Sequence, residues 1–257
     1  MIGFDFPIKP EWVHDVHRLW QPRQPVSDLV QAALTQTMQE LGGEKTRRNS
    51  LTVILRYFVK TEGGGQSRST AEHDVWVAYA QRYPAEALAP AYLAHVISQN
   101  EVAQQATRFI TQRYIPGDEL ISSALRRHII SQFGERKVVI NASNAFLRTL
   151  LYFGVLEDGG KLGAYRFRGR LAVPREVFPL GVWTWWQRQL SPQVGLEEFR
   201  ADPALAFLDV EQFASHWQAY QPQLWVLEER IEGRRATLKH ADAAGFEQAL
   251  LQLVSDK

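Results

Sequence analysis

Residues 134–170 read GERKVVINASNAFLRTLLYFGVLEDGGKLGAYRFRGR, and the reading of this stretch decides the fold. Lys137, Asn141, Asn144 and Arg148 recur at intervals of four, three and four, which returns each to the same face of a helix. Val139, Ala142, Phe146, Leu150 and Phe153 take the opposite face and are candidate core. Gly154 is placed to end the helix. Val155 to Glu157 is then expected to pair with residues 164–170 across Asp158-Gly159-Gly160 or a slightly longer loop. In that return strand Arg166, Arg168 and Arg170 alternate with Tyr165 and Phe167, which places three arginines on one face.

Residues 118–133 read as a preceding helix, so the order is helix, turn, helix, two-stranded wing. That is the order of a winged-helix module, whose second helix lies in the DNA major groove while a basic wing reaches backbone or minor groove. The residue types suit such docking, since lysine neutralises phosphate, asparagine pairs with adenine and arginine forks onto guanine. A bland reading stands beside it. Winged helices also act as protein-interaction modules, and arginines along an edge strand guard against unwanted strand pairing.

Outward from this stretch the 3.6-residue period persists. Helices are expected after Pro10, from Pro25-Val26-Ser27-Asp28 to about residue 41, and over residues 44–60. The third places Leu51, Ile54, Leu55 and Phe58 on one face and Lys45, Arg48, Asn49, Thr52 and Arg56 on another. Across 44–60 five basic residues face the single Glu44, so Arg47 and Arg48 mark either a second phosphate-contacting surface or a solvated helix face. TEGGGQSRST, residues 61–70, reads as a linker or mobile loop. More helices follow to residue 134. Beyond Pro174 come the Trp-rich VWTWWQRQL, the helix DVEQFASHWQAY, a hairpin over residues 224–239 turning at Glu232-Gly233, and a last helix. The expected architecture is mainly α: a helical bundle domain plus a winged helix-turn-helix with small β-hairpins. It divides into 1–62 with the basic helix, 71–175 with the winged helix, and 176–257, Trp-rich with a hairpin.

The 257 residues contain no cysteine, which excludes disulfides, thiolate metal sites and cysteine nucleophiles and points to a reducing, cytoplasmic setting. No segment approaches the roughly 18 apolar residues of a membrane span. Net charge is +1, so any affinity for nucleic acid comes from local patches. His14 and His17 lie three apart, a chelating interval, but read as helix-surface histidines. Trp183, Trp185 and Trp186 read as packing residues ahead of base-stacking ones. Neither a phosphate loop, a dinucleotide fingerprint nor a nucleophile elbow is present, and Gly63-Gly64-Gly65 lacks the lysine and helix start of a phosphate loop. No catalysis, no cofactor and no small-molecule substrate is therefore expected.

The basic helix start Glu44-Lys45-Thr46-Arg47-Arg48, the middle AYLAHVISQNEVAQQATRFITQRY and the end GERKVVINASNAFLRTLLYFGVLED followed by LAVPREV resemble the BrxA-type proteins of BREX phage-defence systems. The likeness covers about residues 42–177, and the chain departs from the pattern by running on for 80 more. The resemblance implies a non-enzymatic protein that binds double-stranded DNA beside other proteins of a defence operon. Carried onto matching positions, it implies DNA-facing roles for Arg47, Arg48, Lys137, Asn144 and Arg148. Asn141 and the wing arginines rest on the strand and helix spacing alone. A protein-interaction adaptor and a winged-helix transcriptional regulator are the alternatives.

Overall fold

The computed structural model describes residues 4–189, 191–231, 233–240 and 242–256. Pro10 sits in the first turn of α1 (Pro10–Arg18), where its missing N–H costs nothing. α2 (Val26–Gln36) is followed, after Gly42-Gly43, by α3 (Glu44–Phe58), which buries Leu51, Val53, Ile54 and Phe58 and leaves Lys45, Arg48, Thr52 and Arg56 exposed.

The glycine-rich stretch expected as a linker is instead a hairpin. β1 (Thr61–Glu62) pairs antiparallel with β2 (Ser69–Thr70). Thr70 Oγ1 donates to the Gln21 carbonyl at 2.6 Å and accepts from the Gln24 N–H at 2.9 Å, tying the hairpin to the α1–α2 connection. Local composition cannot reveal that partnership, because the partners lie more than 40 residues away.

α4 (Val75–Arg82) is capped by Asp74, whose carboxylate accepts from the Trp76 and Val77 N–H groups. α5 (Ala85–Gln99) is apolar on nearly every side, as a helix must be when neighbours surround it. α1, α3 and α4 pack on it, together with α6 (Glu101–Arg113) and α9 (Phe178–Trp186). Between α6 and α9 run β3 (Glu119–Ile121), α7 (Ser122–Phe133), α8 (Lys137–Tyr152), β4 (Leu156–Asp158) and β5 (Ala164–Phe167). β3 falls inside the span expected as a helix; its three residues instead pair antiparallel with β5 in a sheet of order β3-β5-β4.

The C-terminal part adds β6 (Gln193–Gly195), α10 (Leu196–Ala201), α11 (Phe213–Ala219), β7 (Trp225–Arg230), β8 (Gly233–Leu238) and α12 (Ala243–Ser255). The expected hairpin is β7–β8, with β6 on the other side of β8. Glu232, at its expected turn, lies outside the described residues. Trp183, Trp185 and Trp186 are all buried, and Trp185 Nε1 donates to Asp202 at 2.9 Å. α12 returns to pack on α4 and α9, and one contiguous cluster of buried apolar side chains runs from Phe4 to Val254. The molecule is thus mainly helical with small antiparallel sheets, and no helix among the described residues is long and apolar enough to cross a membrane.

His14 and His17, expected on the helix surface, are buried. His14 Nε2 lies 3.0 Å from the Tyr83 carbonyl, and His17 bridges the Tyr92 hydroxyl and the Phe58 carbonyl. Their spacing serves packing against α4 and α5, which a single amphipathic pattern cannot distinguish from exposure. Burial pushes His17 and His95 down to about 4, and pushes Asp74 up to about 6.

These shifts carry a sign. Between about pH 4 and 6.5 the unfolded chain binds protons that both buried imidazoles refuse, so they make stability fall as pH falls through that window. Asp74 acts oppositely, because the folded state holds its proton up to about pH 6. Two imidazoles against one carboxyl leave about one proton, or about 1.4 kcal/mol per pH unit. Urea midpoints are therefore expected to drop between about pH 7 and pH 5; an unchanged midpoint would mean that the imidazoles protonate in the folded state.

Candidate nucleic-acid interface

α7 ends at Gly134, whose φ of +79° lets the chain reverse, and α8 begins at Lys137 after the extended Arg136. α8 then buries Val139, Ala142, Phe146 and Leu150 against α6 and α7. Its other face carries Lys137, Asn141 and Arg148, all exposed, and the half-buried Asn144. The helix phase read from the sequence therefore holds.

Asn141, Asn144 and Arg148 line a groove of about 560 Å³. Its second wall comes from α7 through Ser122 and Arg126, and its third from Leu162, Gly163 and Tyr165 around the β4–β5 turn. Asp5, Phe6 and Pro7 border it as well. Arg126 carries no signal in the sequence, yet its Nη2 donates to Asn144 Oδ1 at 3.2 Å, and its Nε is buried without a partner. The pair joins residues 18 apart on two helices, so no single-helix pattern signals it. Gly163 has φ +77°, its carbonyl accepts from the Ser122 N–H at 2.8 Å, and an added Cβ would stand 2.8 Å from Ser122 Oγ. That close approach folds the turn toward α7 and leaves the Leu162 side chain fully exposed.

Lys137 lies on the same stripe, outside the groove lining. The three arginines expected on a wing separate. Arg166 stands in register between Glu119 of β3 and Glu157 of β4, and pairs with Glu157 at 3.3 Å. Its charge is matched inside the sheet. Arg168 continues the pairing through its N–H to the Val155 carbonyl, and Arg170 follows Gly169; both side chains are exposed and form no ion pair among the described residues. Arg47 and Arg48 are not brought into the groove. Arg47 Nη1 donates to the Leu41 carbonyl and Arg48 pairs with Glu44 at 2.9 Å. Neighbouring Glu40 accepts from Trp12, whose ring meets Tyr152, so this corner adjoins the C-terminal end of α8, opposite Lys137.

Charge follows the same division. From α6 through Arg170, residues 101–170, eleven basic residues face six acidic ones, a net of +5; the rest of the chain, eighteen against twenty-two, carries −4. The segment that builds most of the groove therefore carries a net positive charge, as does the separate α3 segment, in a near-neutral protein.

No family model matches the chain, and no curated protein does. Two solved structures share its architecture, one described as the SspB crystal structure and the other as magnesium ion-bound SspB. They are 14% and 15% identical, with TM-scores of 0.58 and 0.59, and each match covers 99% of this chain and 88% of the other. At that identity the likeness shows the fold alone. Among the described residues of this chain, no group of three or more histidines and acidic residues is gathered in a way that would hold a metal.

Proposed function

We propose that residues 101–170 form a winged-helix module that docks on double-stranded DNA, with α8 along the major groove and the β4–β5 turn as the wing. The observation that carries this reading is the polar stripe of α8, which presents Lys137 and Arg148 without ion pairs among the described residues beside an open groove in a segment of net positive charge. The element order α6, β3, α7, α8, β4, β5 and the sheet order β3-β5-β4 support it.

Phosphates take Lys137, Arg148, Arg168 and Arg170, while Asn141 and Asn144 face base edges. Asn144 Oδ1 already accepts from Arg126, so Asn144 offers mainly its amide N–H groups, and Arg126 becomes a further contact. Arg166 is the weakest of the named candidates, since Glu119 and Glu157 flank it. Arg47 and Arg48 would serve only a duplex that passes the C-terminal end of α8. The protein's work on this reading is docking without chemistry of its own, in the cytoplasm and beside other proteins of a defence operon; the likeness to BrxA-type proteins supports that last part.

Fluorescence anisotropy with a labelled random duplex of about 30 base pairs tests the proposal. Binding at 50 mM salt that weakens steeply by 200 mM is expected, because each phosphate contact releases counterions. No binding at the lower salt would sink it. A protein-interaction adaptor would then be preferred, a reading favoured by the fully exposed Leu162 and Ile231 at two hairpin tips.

A further inference from the structure

We propose that Arg126 makes the groove between α7 and α8 a reader of guanine, by holding Asn144 in one orientation; the proposal rests on the duplex-docking reading above. Arg126 Nη2 donates to Asn144 Oδ1 at 3.2 Å, so the Asn144 oxygen is turned toward α7 and its amide nitrogen away from it. Two donors are left over. Asn144 Nδ2 and Arg126 Nη1 form no hydrogen bond among the described residues, and neither is sealed from solvent, whereas Arg126 Nε is. Both residues are half-buried and line the groove of about 560 Å³.

The hold on Asn144 has a physical cause. With Nε enclosed, the inner part of the Arg126 side chain is packed where α7 meets α8 and has little room to swing. The guanidinium is a rigid plane, so a fixed Nε and a bonded Nη2 also fix where Nη1 points. Asp5, the acidic residue of the groove lining, pairs with neither Arg126 nor Arg148 among the described residues. The guanidinium is therefore not committed to a carboxylate.

Neighbouring donors discriminate among bases. In the major groove guanine presents two adjacent acceptors, N7 and O6, whereas adenine sets an acceptor beside a donor, thymine offers one acceptor beside a methyl, and cytosine offers a donor. An asparagine free to turn meets adenine with its oxygen and its amide together. Asn144 held by Arg126 does not, because its oxygen faces α7. Its amide and Arg126 Nη1 together match guanine instead. A cation seated in the groove displaces counterions whether it meets a base or a phosphate, so the salt slope does not separate the two contacts and base preference does.

Retention of a randomised duplex pool of about 30 base pairs by the full chain at about 50 mM salt, with sequencing of the bound fraction, tests the assignment. At least one position is expected to enrich guanine over adenine about tenfold. Arg126→Met keeps the length of the side chain and deletes its donors; it frees the Asn144 oxygen and is expected to move that position toward adenine, with the other positions unchanged. Arg126→Lys, which can still donate to Asn144, is expected to keep guanine ahead of adenine. Asn144→Ala is expected to lose the enrichment and retain the duplex. A merely structural role for Arg126 would instead lower retention of every sequence alike, and that result would overturn the assignment. No retained duplex would overturn the docking reading and the assignment together. Retained duplex without a guanine-enriched position, or with one that persists in both Arg126→Met and Asn144→Ala, would overturn the assignment alone.

Discussion

Replacing Lys137, Arg148 and Arg168 together by alanine is expected to flatten the salt dependence of duplex binding. Lys137, Arg126, Arg148, Arg168 and Arg170, the cationic contacts proposed above, form no ion pairs among the described residues of the module. If each neutralises one phosphate, the logarithmic salt slope is about −4.5, and affinity falls about 500-fold between 50 and 200 mM salt. Removing three leaves a slope of about −1.8 and a loss of about 12-fold. The three side chains are exposed, so folding stability should change by less than about 0.5 kcal/mol for each. Anisotropy at four salt concentrations reads the slope directly. A variant that keeps the parental slope would move the contact away from α8 and the wing, with Arg47 and Arg48 the next cations to replace. Asn141→Ala and Asn144→Ala should leave the slope alone and change the preference among sequences.

Trp76→Ala is expected to be the most damaging of these single substitutions, at a cost of about 3–5 kcal/mol. The ring is 3% exposed and meets His17, Phe58, Tyr92, His95 and Trp183 with centroid separations of 5.2 to 6.4 Å. These partners come from α1, α3, α5 and α9, so the cavity left behind cannot collapse from one side. A domain holds about 5–15 kcal/mol in total, and the loss should bring the urea midpoint down by a large fraction. A drop below about 1 kcal/mol would show that the neighbours relax into the space.

The sequence made α8 legible because a 16-residue helix repeats its two-faced pattern over four turns, and one buried face cannot be mistaken for the other. The same reasoning located the C-terminal hairpin, where a strand of six residues alternates long enough to be seen. β3 escaped it. Three residues show no period, and its partner β5 begins more than 40 residues later. Arg126 escaped for a related reason: its role exists only once α7 is laid against α8. The histidines of α1 misled because burial on a second side depends on α4 and α5, which the α1 sequence does not contain. Arg166 shows the limit of alternation as a guide: strand phase places an arginine on a face, but only the cross-strand register reveals the two glutamates beside it.

The N-terminal segment that borders the groove bears on stoichiometry. Phe4 wedges edge-on against Tyr57 and Phe146, and the Ile8 N–H donates to Thr149 Oγ1 at 3.1 Å, so Asp5 is held near the Arg148 end of α8. In the proposed docking its carboxylate would disfavour phosphate at that end of the groove. From Lys137 to Arg148 the helix advances about 16 Å, roughly five base-pair steps of 3.4 Å. A folded chain of this size is about 45 Å across, or some 13 base pairs. If α8 docks on DNA as proposed, the spacing of molecules along a long duplex would be governed by their girth, and most base pairs beneath a saturated array would remain untouched.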